Sequence, residues 1–83
     1  MYQIHYTQLA YKQLSKLPKV AYSRIVLSLE RLKFRPHSFV KRLAGREEYS
    51  FRVGDYRVLL DIFDDKLVIL VVEVGHRKNI YDR

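Results

Sequence analysis

Cysteine and tryptophan are absent from the 83 residues, and the chain has only three glycines and two prolines. Without cysteine it can form neither a disulfide nor a thiolate zinc site, which fits a reducing cytoplasm. No repeat, low-complexity tract or linker interrupts the sequence. We therefore expect a single domain over residues 1–83, with 48% hydrophobic residues to build a small core.

Long apolar runs are also missing. The longest, Leu67–Val72, has six residues, which is far too few for a transmembrane helix or a signal-peptide core. The opening residues MYQIHYTQ show no basic region followed by an apolar stretch, so we expect a cytoplasmic protein with no membrane partner. No His, Asp and Glu cluster has ligand spacing and no glycine-rich phosphate loop is present, so no metal or cofactor is expected.

Acidic residues are scarce in the first half of the chain. Residues 1–40 contain seven lysines and arginines but a single acid, Glu30, whereas residues 58–83 contain four bases and five acids. The net charge of +7 and the pI near 9.9 favour a polyanionic partner. We interpret most of the N-terminal lysines as the solvated surface of helices.

Hydrophobic spacing divides the chain into helices and strands. A short strand over residues 2–6 precedes a helix that has Thr7 as a suitable N-cap. Pro18 ends that helix or opens the next one, since proline is best tolerated in a first turn. A second amphipathic helix continues at the same period to Arg35-Pro36, so the two helices form a hairpin. Three candidate strands follow: Tyr49–Val53, Tyr56–Phe63 and Lys66–Val74. The prediction is an α+β domain, β-α-α-β-β-β, with the helical hairpin packed on a mainly antiparallel four-stranded sheet.

Gly54-Asp55 lies between two of these strands and is typical of a two-residue hairpin turn with Gly at the first central position. This turn predicts that Arg52 and Arg57 lie directly opposite each other. Like charges in that position are destabilising. An anion bound between the two guanidinium groups would offset the cost.

Strand alternation predicts the two faces of the sheet. The face under the helices is expected to carry Tyr49, Phe51, Val53, Tyr56, Val58, Leu60, Ile62, Val68, Leu70, Val72 and Val74. The other face combines the two arginines with apolar residues: Leu59, Phe63, Leu67, Ile69 and Val71. Because a fully solvated face would be less apolar, we expect a partner, a dimer contact or the chain's own ends to cover part of it.

Several spaced motifs resemble those of the RelE/ParE toxin superfamily. They are Arg42-Leu43-Ala44-Gly45, then Tyr49-x-x-Arg52-x-Gly54-Asp55-Tyr56-Arg57, and Val74-Gly75-His76-Arg77 followed by Tyr81. The resemblance covers nearly the whole chain. It implies a RelE-like fold and a toxin of a type II toxin–antitoxin system.

The resemblance to RelE-like members also implies an activity and partners. Such members are ribosome-dependent endoribonucleases that cleave mRNA in the A site without a metal. A RelB-like antitoxin would wrap the toxin, and the complex would bind operator DNA and repress its own operon. ParE-like members share the fold but act on DNA gyrase, which is the alternative function.

Site residues follow from the same resemblance. Arg52 matches a position that contacts the phosphate region, Arg57 one that stabilises the transition state, and Arg77 one that aids the leaving group. Tyr81 matches a tyrosine that stacks on or activates the cleaved nucleotide, and His76 is a candidate for acid–base work. The RNA-binding set is expected to comprise Lys41, Arg42, Arg46, Arg52, Arg57, Arg77, Lys78 and Arg83.

One family position is altered and three structural alternatives stay open. Ser50 stands where well-known RelE members have a further lysine, so one candidate proton acceptor is missing. The arginines Arg52 and Arg57 could instead pair with Asp61 and Glu73. In two further alternatives, Tyr81 is an aromatic anchor and His76 is a solvated residue.

Overall fold

The computed structural model of the protein describes residues 1–76. In chain order its elements are β1 (Gln3–Tyr6), α1 (Gln8–Ser15), α2 (Lys19–Leu32), a 3-10 turn (Pro36–Ser38), β2 (Lys41–Arg42), β3 (Tyr49–Val53), β4 (Tyr56–Phe63) and β5 (Val68–His76). The predicted fold class is confirmed, as is the order of the predicted elements. None of the helices in the described part is long and apolar enough to cross a membrane.

The strands form one sheet in the order β1-β5-β4-β3-β2. β1 pairs with β5 in parallel, and the other three pairings are antiparallel. The sheet therefore has one strand more than the four predicted. The additional strand, β2, has two residues, which is too short to show the alternation by which strands are recognised in a sequence.

Both helices begin where the sequence predicts. The Thr7 hydroxyl accepts a hydrogen bond from the Ala10 amide at 3.1 Å, which caps α1. Pro18 lies directly before the first residue of α2, where its fixed φ suits a helix start and its missing amide costs nothing. The apolar residues at helical spacing on α2 face the core, and three of them are fully buried: Ile25, Leu29 and Leu32.

The core lies between the two helices and one face of the sheet. It consists of buried residues from every layer: Ala10, Leu14, Ile25, Leu29, Leu32, Phe51, Val53, Val58, Leu60, Ile69, Val71 and Val74. Of the predicted inward residues of β3 and β4, four are among them (Phe51, Val53, Val58 and Leu60), and the other three, Tyr49, Tyr56 and Ile62, are partly buried and pack against this core. In β5 the residues that face the helices are not those that the alternation predicts.

A β-bulge in β5 changes which residues face the helices. Leu59 pairs with Glu73 but Leu60 pairs with Val71, so Val72 is an extra residue in the ladder. The prediction that Val68, Leu70 and Val72 face the helices was therefore wrong, as was the placement of Ile69 and Val71 on the other face. The extra residue shifts the alternation by one position. Ile69 and Val71 therefore belong to the core in place of Val68, Leu70 and Val72, and only Val74, beyond the bulge, faces the helices as predicted.

Two side chains near or within α1 bind the bulge. The Thr7 hydroxyl donates to the Val72 carbonyl at 2.8 Å, and the Gln13 side-chain oxygen accepts from the Val74 amide at 2.6 Å. The Val72 carbonyl and the Val74 amide thus find hydrogen-bond partners on side chains outside the sheet. These contacts fix the direction in which the second half of β5 continues.

The second face of the sheet is partly covered, as predicted. Leu59 is 2% exposed in the isolated chain, and Ser50 and Glu73 beside it are also buried. Other residues of the same chain therefore cover Leu59 without a partner molecule. Phe63 and Leu67 at the far end are exposed.

Candidate functional site

The β3–β4 hairpin has the register that the sequence predicts. Gly54 has φ +57°, in the left-handed region that glycine adopts without strain, and the turn contains two residues. Arg52 and Arg57 are consequently direct partners in the ladder. The Arg52 side chain is exposed and Arg57 is half-buried, so both cations can meet a ligand from one side of the sheet.

These two arginines line an open groove of about 700 Å³ between the hairpin and the segment 38–44. Lys41 and Arg42 line the same groove, and Ser50 contributes a hydroxyl. Among the described residues that line it, every charged side chain is cationic. Such a groove attracts phosphates, and none of its described lining residues has a carboxylate that would repel them.

Arg42 is fixed against β3. Its guanidinium lies 5.3 Å from the centroid of the Tyr49 ring, and one of its nitrogens, Nη1, donates to the Tyr49 hydroxyl at 3.3 Å. β2 pairs Arg42 with Tyr49 and Lys41 with Ser50, so Lys41 shares the face of Ser50, whereas the Arg42 guanidinium lies on the face of Tyr49. Arg46 does not line the groove: it forms an ion pair with Glu48, with 2.6 Å between nitrogen and oxygen.

His76 lies across the sheet from the groove. It pairs with Tyr56, and the two rings meet edge to face with 5.7 Å between centroids. Since Tyr56 packs against the core on the helix side, His76 points to that side too, whereas Arg57 points to the other. The structure therefore does not bring His76 together with Arg57. Four further predicted site residues lie outside the described residues: Arg77, Lys78, Tyr81 and Arg83.

In one alternative, Arg52 and Arg57 form ion pairs with acids of the same sheet face. The surroundings of Asp61, one of these acids, bear on it. Burial raises the pKa of the Asp61 carboxyl, and the nearby carboxylates of Glu48 and Glu47 raise it further. The acids that act on Asp61 are thus Glu48 and Glu47. Glu73, the other acid of that alternative, is buried on the same face, opposite Leu59 and close to Arg57, and the pairing of Arg57 with Glu73 stays a prediction.

Two residues near the site were missed by sequence reasoning. Phe39 lines the groove, and Arg24 on α2 reaches the hairpin turn, where its Nη1 would lie 3.2 Å from a Cβ added at Gly54. Both placements depend on how distant segments pack. No local pattern in the sequence indicates either one.

Comparison with known proteins is consistent with this geometry. A family model described as the ParE toxin of the type II toxin–antitoxin system parDE matches residues 4–81. The chain belongs to the RelE/ParE toxin superfamily. It is also similar to Toxin RelG of Mycobacterium tuberculosis. The two sequences are 33% identical over an alignment of 88 positions, which covers 99% of this chain and 98% of RelG.

Solved structures of the superfamily share the fold. The toxin–antitoxin complex RelBE2 of M. tuberculosis contains a chain that matches with a TM-score of 0.81 and 29% identity, over 92% of this chain and 98% of that one. The archaeal RelE–RelB complex of Pyrococcus horikoshii gives 0.79 and 28%, over 94% and 97%. The intact RelBE complex of Escherichia coli gives 0.80 over 92% and 96%, and its 22% identity supports the fold alone. The protein is a toxin of a type II toxin–antitoxin system.

Proposed function

We propose that this toxin is a ribosome-dependent endoribonuclease that cleaves mRNA in the ribosomal A site. The observation that carries the proposal is the directly opposed pair Arg52 and Arg57 in a groove whose charged lining is cationic. Two like charges held side by side repel each other, and an anion bound between them would reduce that repulsion. The scissile phosphate of an RNA strand is an anion that fits this position.

In the proposed reaction the RNA supplies its own nucleophile. The 2′-oxygen bonds to the adjacent phosphorus and gives up its proton to a base, the P–O5′ bond breaks, and the departing 5′-oxygen takes up a proton, so the protein orients the strand and stabilises charge. Arg57 stabilises the charge that develops on the phosphate, because its planar fork offers two parallel donors to two phosphate oxygens. Arg52 holds the same phosphate from the opposing strand.

Lys41 restores a cation near Ser50. The register places Lys41 directly opposite Ser50, and both residues line the groove. Direct partners in a ladder point to the same face of the sheet. In the proposed mechanism Lys41 therefore contributes, from the neighbouring strand, a positive charge of the kind that a lysine at position 50 would provide. The roles proposed for Arg77 and Tyr81 are leaving-group assistance and stacking.

The test uses purified toxin and ribosomes stalled on a defined mRNA, with a chelator present, and maps new RNA ends by primer extension. We expect new ends inside the A-site codon, and none without ribosomes. Because one preorganised charge donor is worth about 10²- to 10³-fold in rate, Arg57→Ala should lose that much activity. Arg31→Ala, which removes an exposed arginine from α2 on another surface, is the matched control and should cleave normally.

Uncut RNA from a folded and toxic wild-type protein would contradict the nuclease proposal. An Arg57→Ala protein that retained full toxicity would contradict the role of the opposed arginines. Either result would direct attention to the second candidate function.

The second candidate is a ParE-type toxin that acts on DNA gyrase, and it is favoured by the description of the family model that matches residues 4–81. Both types share the fold, so the architecture does not separate them. A ParE-type toxin would arrest growth with DNA-damage signalling and gyrase-linked breaks while mRNA stayed intact. Sequencing RNA ends and DNA ends from the same arrested culture distinguishes the two.

We further propose that a RelB-like antitoxin neutralises this toxin. The matched structures include RelB–RelE complexes, and the helix layer here has an apolar cleft of about 200 Å³ lined by three tyrosines: Tyr6, Tyr11 and Tyr22. The surrounding helices are basic, so the segment that binds should be amphipathic and acidic. Hydrogen exchange should show protection of α1 and α2 when the antitoxin is added, and unchanged exchange there would contradict this placement.

The complex is expected to bind operator DNA and so repress its own operon. An operator fragment should be shifted in a gel by the toxin–antitoxin complex and less strongly by the antitoxin alone. Equal shifts would mean that the toxin has no part in repression.

A further inference from the structure

Phe39 is an aromatic residue on the rim of a phosphate-attracting groove. Its side chain is 59% exposed and lines the groove together with Lys41, Arg52 and Arg57. A single exposed phenylalanine is unremarkable on a protein surface. The position of this one beside three cations is what requires an explanation.

The backbone holds Phe39 in a fixed place. It follows the 3-10 turn Pro36–Ser38, its amide donates to the Pro36 carbonyl at 3.3 Å, and Pro36 itself is buried. The next residue, Val40, packs against the core, and Lys41 then enters the sheet. The ring is thus exposed although the chain on both sides of it is anchored.

A single-stranded nucleic acid alternates charged phosphates with flat bases. Proteins that bind such strands combine cationic grooves with aromatic rings on which the bases stack. We infer that Phe39 is a stacking platform for a nucleobase of the RNA whose phosphate lies between Arg52 and Arg57. The inference rests on the proposed nuclease function and names a base-binding subsite for it.

Phe34 provides an internal comparison. It is also exposed, at the end of α2, in a groove lined by Glu30, Arg31 and Lys33. Lys33 forms an ion pair with Glu30 at 2.8 Å, so this second groove has a carboxylate in its lining and part of its positive charge is neutralised. A nucleic-acid strand should therefore prefer the ring of Phe39.

The absence of tryptophan from the chain allows a direct measurement. The variants Phe39→Trp and Phe34→Trp each introduce a single fluorophore. The probes are a short 2′-O-methylated oligonucleotide, which lacks the nucleophile and cannot be cut, and an abasic strand of the same length. We expect the base-containing strand to quench the tryptophan at position 39 in a saturable manner, the abasic strand to quench it far less, and neither to quench the tryptophan at position 34.

Cleavage kinetics provide the second readout. Stacking of one base on an aromatic ring corresponds to a factor between about 5 and about 150 in affinity. In the ribosome assay Phe39→Ala should lose activity by a factor in this range, and Phe39→Leu, which is apolar but has no ring, should lose a similar amount. Phe39→Tyr should restore most of the activity because it keeps the ring.

The outcomes separate the inference from the proposed function. Wild-type cleavage together with equal rates for Phe39→Ala would overturn the stacking role and leave the nuclease intact. Weaker antitoxin binding by Phe39→Ala, with unchanged RNA cleavage, would overturn it too and assign the ring to a protein contact. If the wild type failed to cleave but base-dependent quenching at position 39 persisted, the stacking platform would stand and the nuclease proposal would fail.

Discussion

Arg52 and Arg57 are direct ladder partners one residue pair away from the turn of their hairpin, so the two side chains project from the same face of the sheet. Their opposition is set by the backbone. The repulsion between these two guanidinium groups opposes the folded state, and removing it should change stability and activity in opposite directions.

Neutralising one member of the pair should stabilise the fold. Arg52→Gln removes the charge from an exposed position and keeps part of the aliphatic stem. We expect the free energy of unfolding to rise by about 0.2–1 kcal/mol at low salt, the range for cross-strand pairs. Urea titration measures it, and the gain should shrink near 1 M salt as repulsion is screened. Arg31→Gln, with the same change in net charge, should show no such gain.

Two glycines with positive φ allow the effect of backbone strain on stability to be separated from the effect of a side-chain contact. Gly54 has φ +57° and Gly45 has φ +71°, and a Cβ at Gly54 would meet Arg24 at 3.2 Å whereas one at Gly45 would meet nothing within 4 Å. Each alanine variant should lose about 1–2 kcal/mol of stability, because an L-residue is strained in this region. The loss at Gly54 should be only slightly larger, since the Arg24 side chain can move aside.

Thermal unfolding of both glycine variants checks this expectation. Adding Arg24→Ala to Gly54→Ala would recover the contact contribution and leave the strain. A Gly54→Ala protein as stable as the wild type would contradict the turn geometry described above.

The hydrogen bond from Val74 to Gln13 should be necessary for the ordered bulge in β5. Gln13→Leu keeps the approximate volume but leaves the buried Val74 amide without its acceptor, which costs about 1–3 kcal/mol. Gln13→Glu retains an acceptor and should lose less. Hydrogen exchange at the Val74 amide should accelerate in the leucine variant, and unchanged protection there would mean that another group accepts this bond.

Stability should depend on pH through Asp64. Hydrogen bonds from Tyr2 and from His37 hold the pKa of the Asp64 carboxyl below its ordinary value. The folded state thus releases this proton more readily than the unfolded chain, whose aspartates have a pKa of about 3.9. The resulting stabilisation is fully present above that value and is lost as the pH falls through the lowered folded pKa.

Melting temperatures of the wild type and Asp64→Asn, measured between pH 7 and pH 2, check this dependence. The wild type should be the more stable at neutral pH, and the gap should close in acid. Asp65→Asn, one residue along the same turn, controls for the change in net charge. A gap that stayed constant across the range would show that the carboxylate form contributes nothing specific.

The hairpin could be predicted in detail because a two-residue turn determines the register of its strands. The Gly54-Asp55 turn by itself predicts that Arg52 and Arg57 are ladder partners, and the structure agrees. The helix starts at Thr7 and Pro18 were equally local. In each case the residues that decide the structure are neighbours in sequence.

The remainder of the site depends on contacts between distant segments. The bulge at Val72 is stabilised by Thr7 and Gln13, more than fifty residues away, and nothing within β5 marks it. The groove requires the short strand Lys41–Arg42 to pair with β3, and Phe39 reaches the rim because of that pairing. Local patterns in a single sequence do not contain such information.

The borders of the sheet have a consequence for the toxin at high concentration. The outermost strands, β1 and β2, are four and two residues long. Unpaired edge strands are the places where sheets of separate molecules pair with one another to form fibres, and short edge strands offer few backbone groups for such pairing. An accumulating pool of this toxin should therefore stay dispersed and not polymerise, so that each molecule remains available to act on its own target.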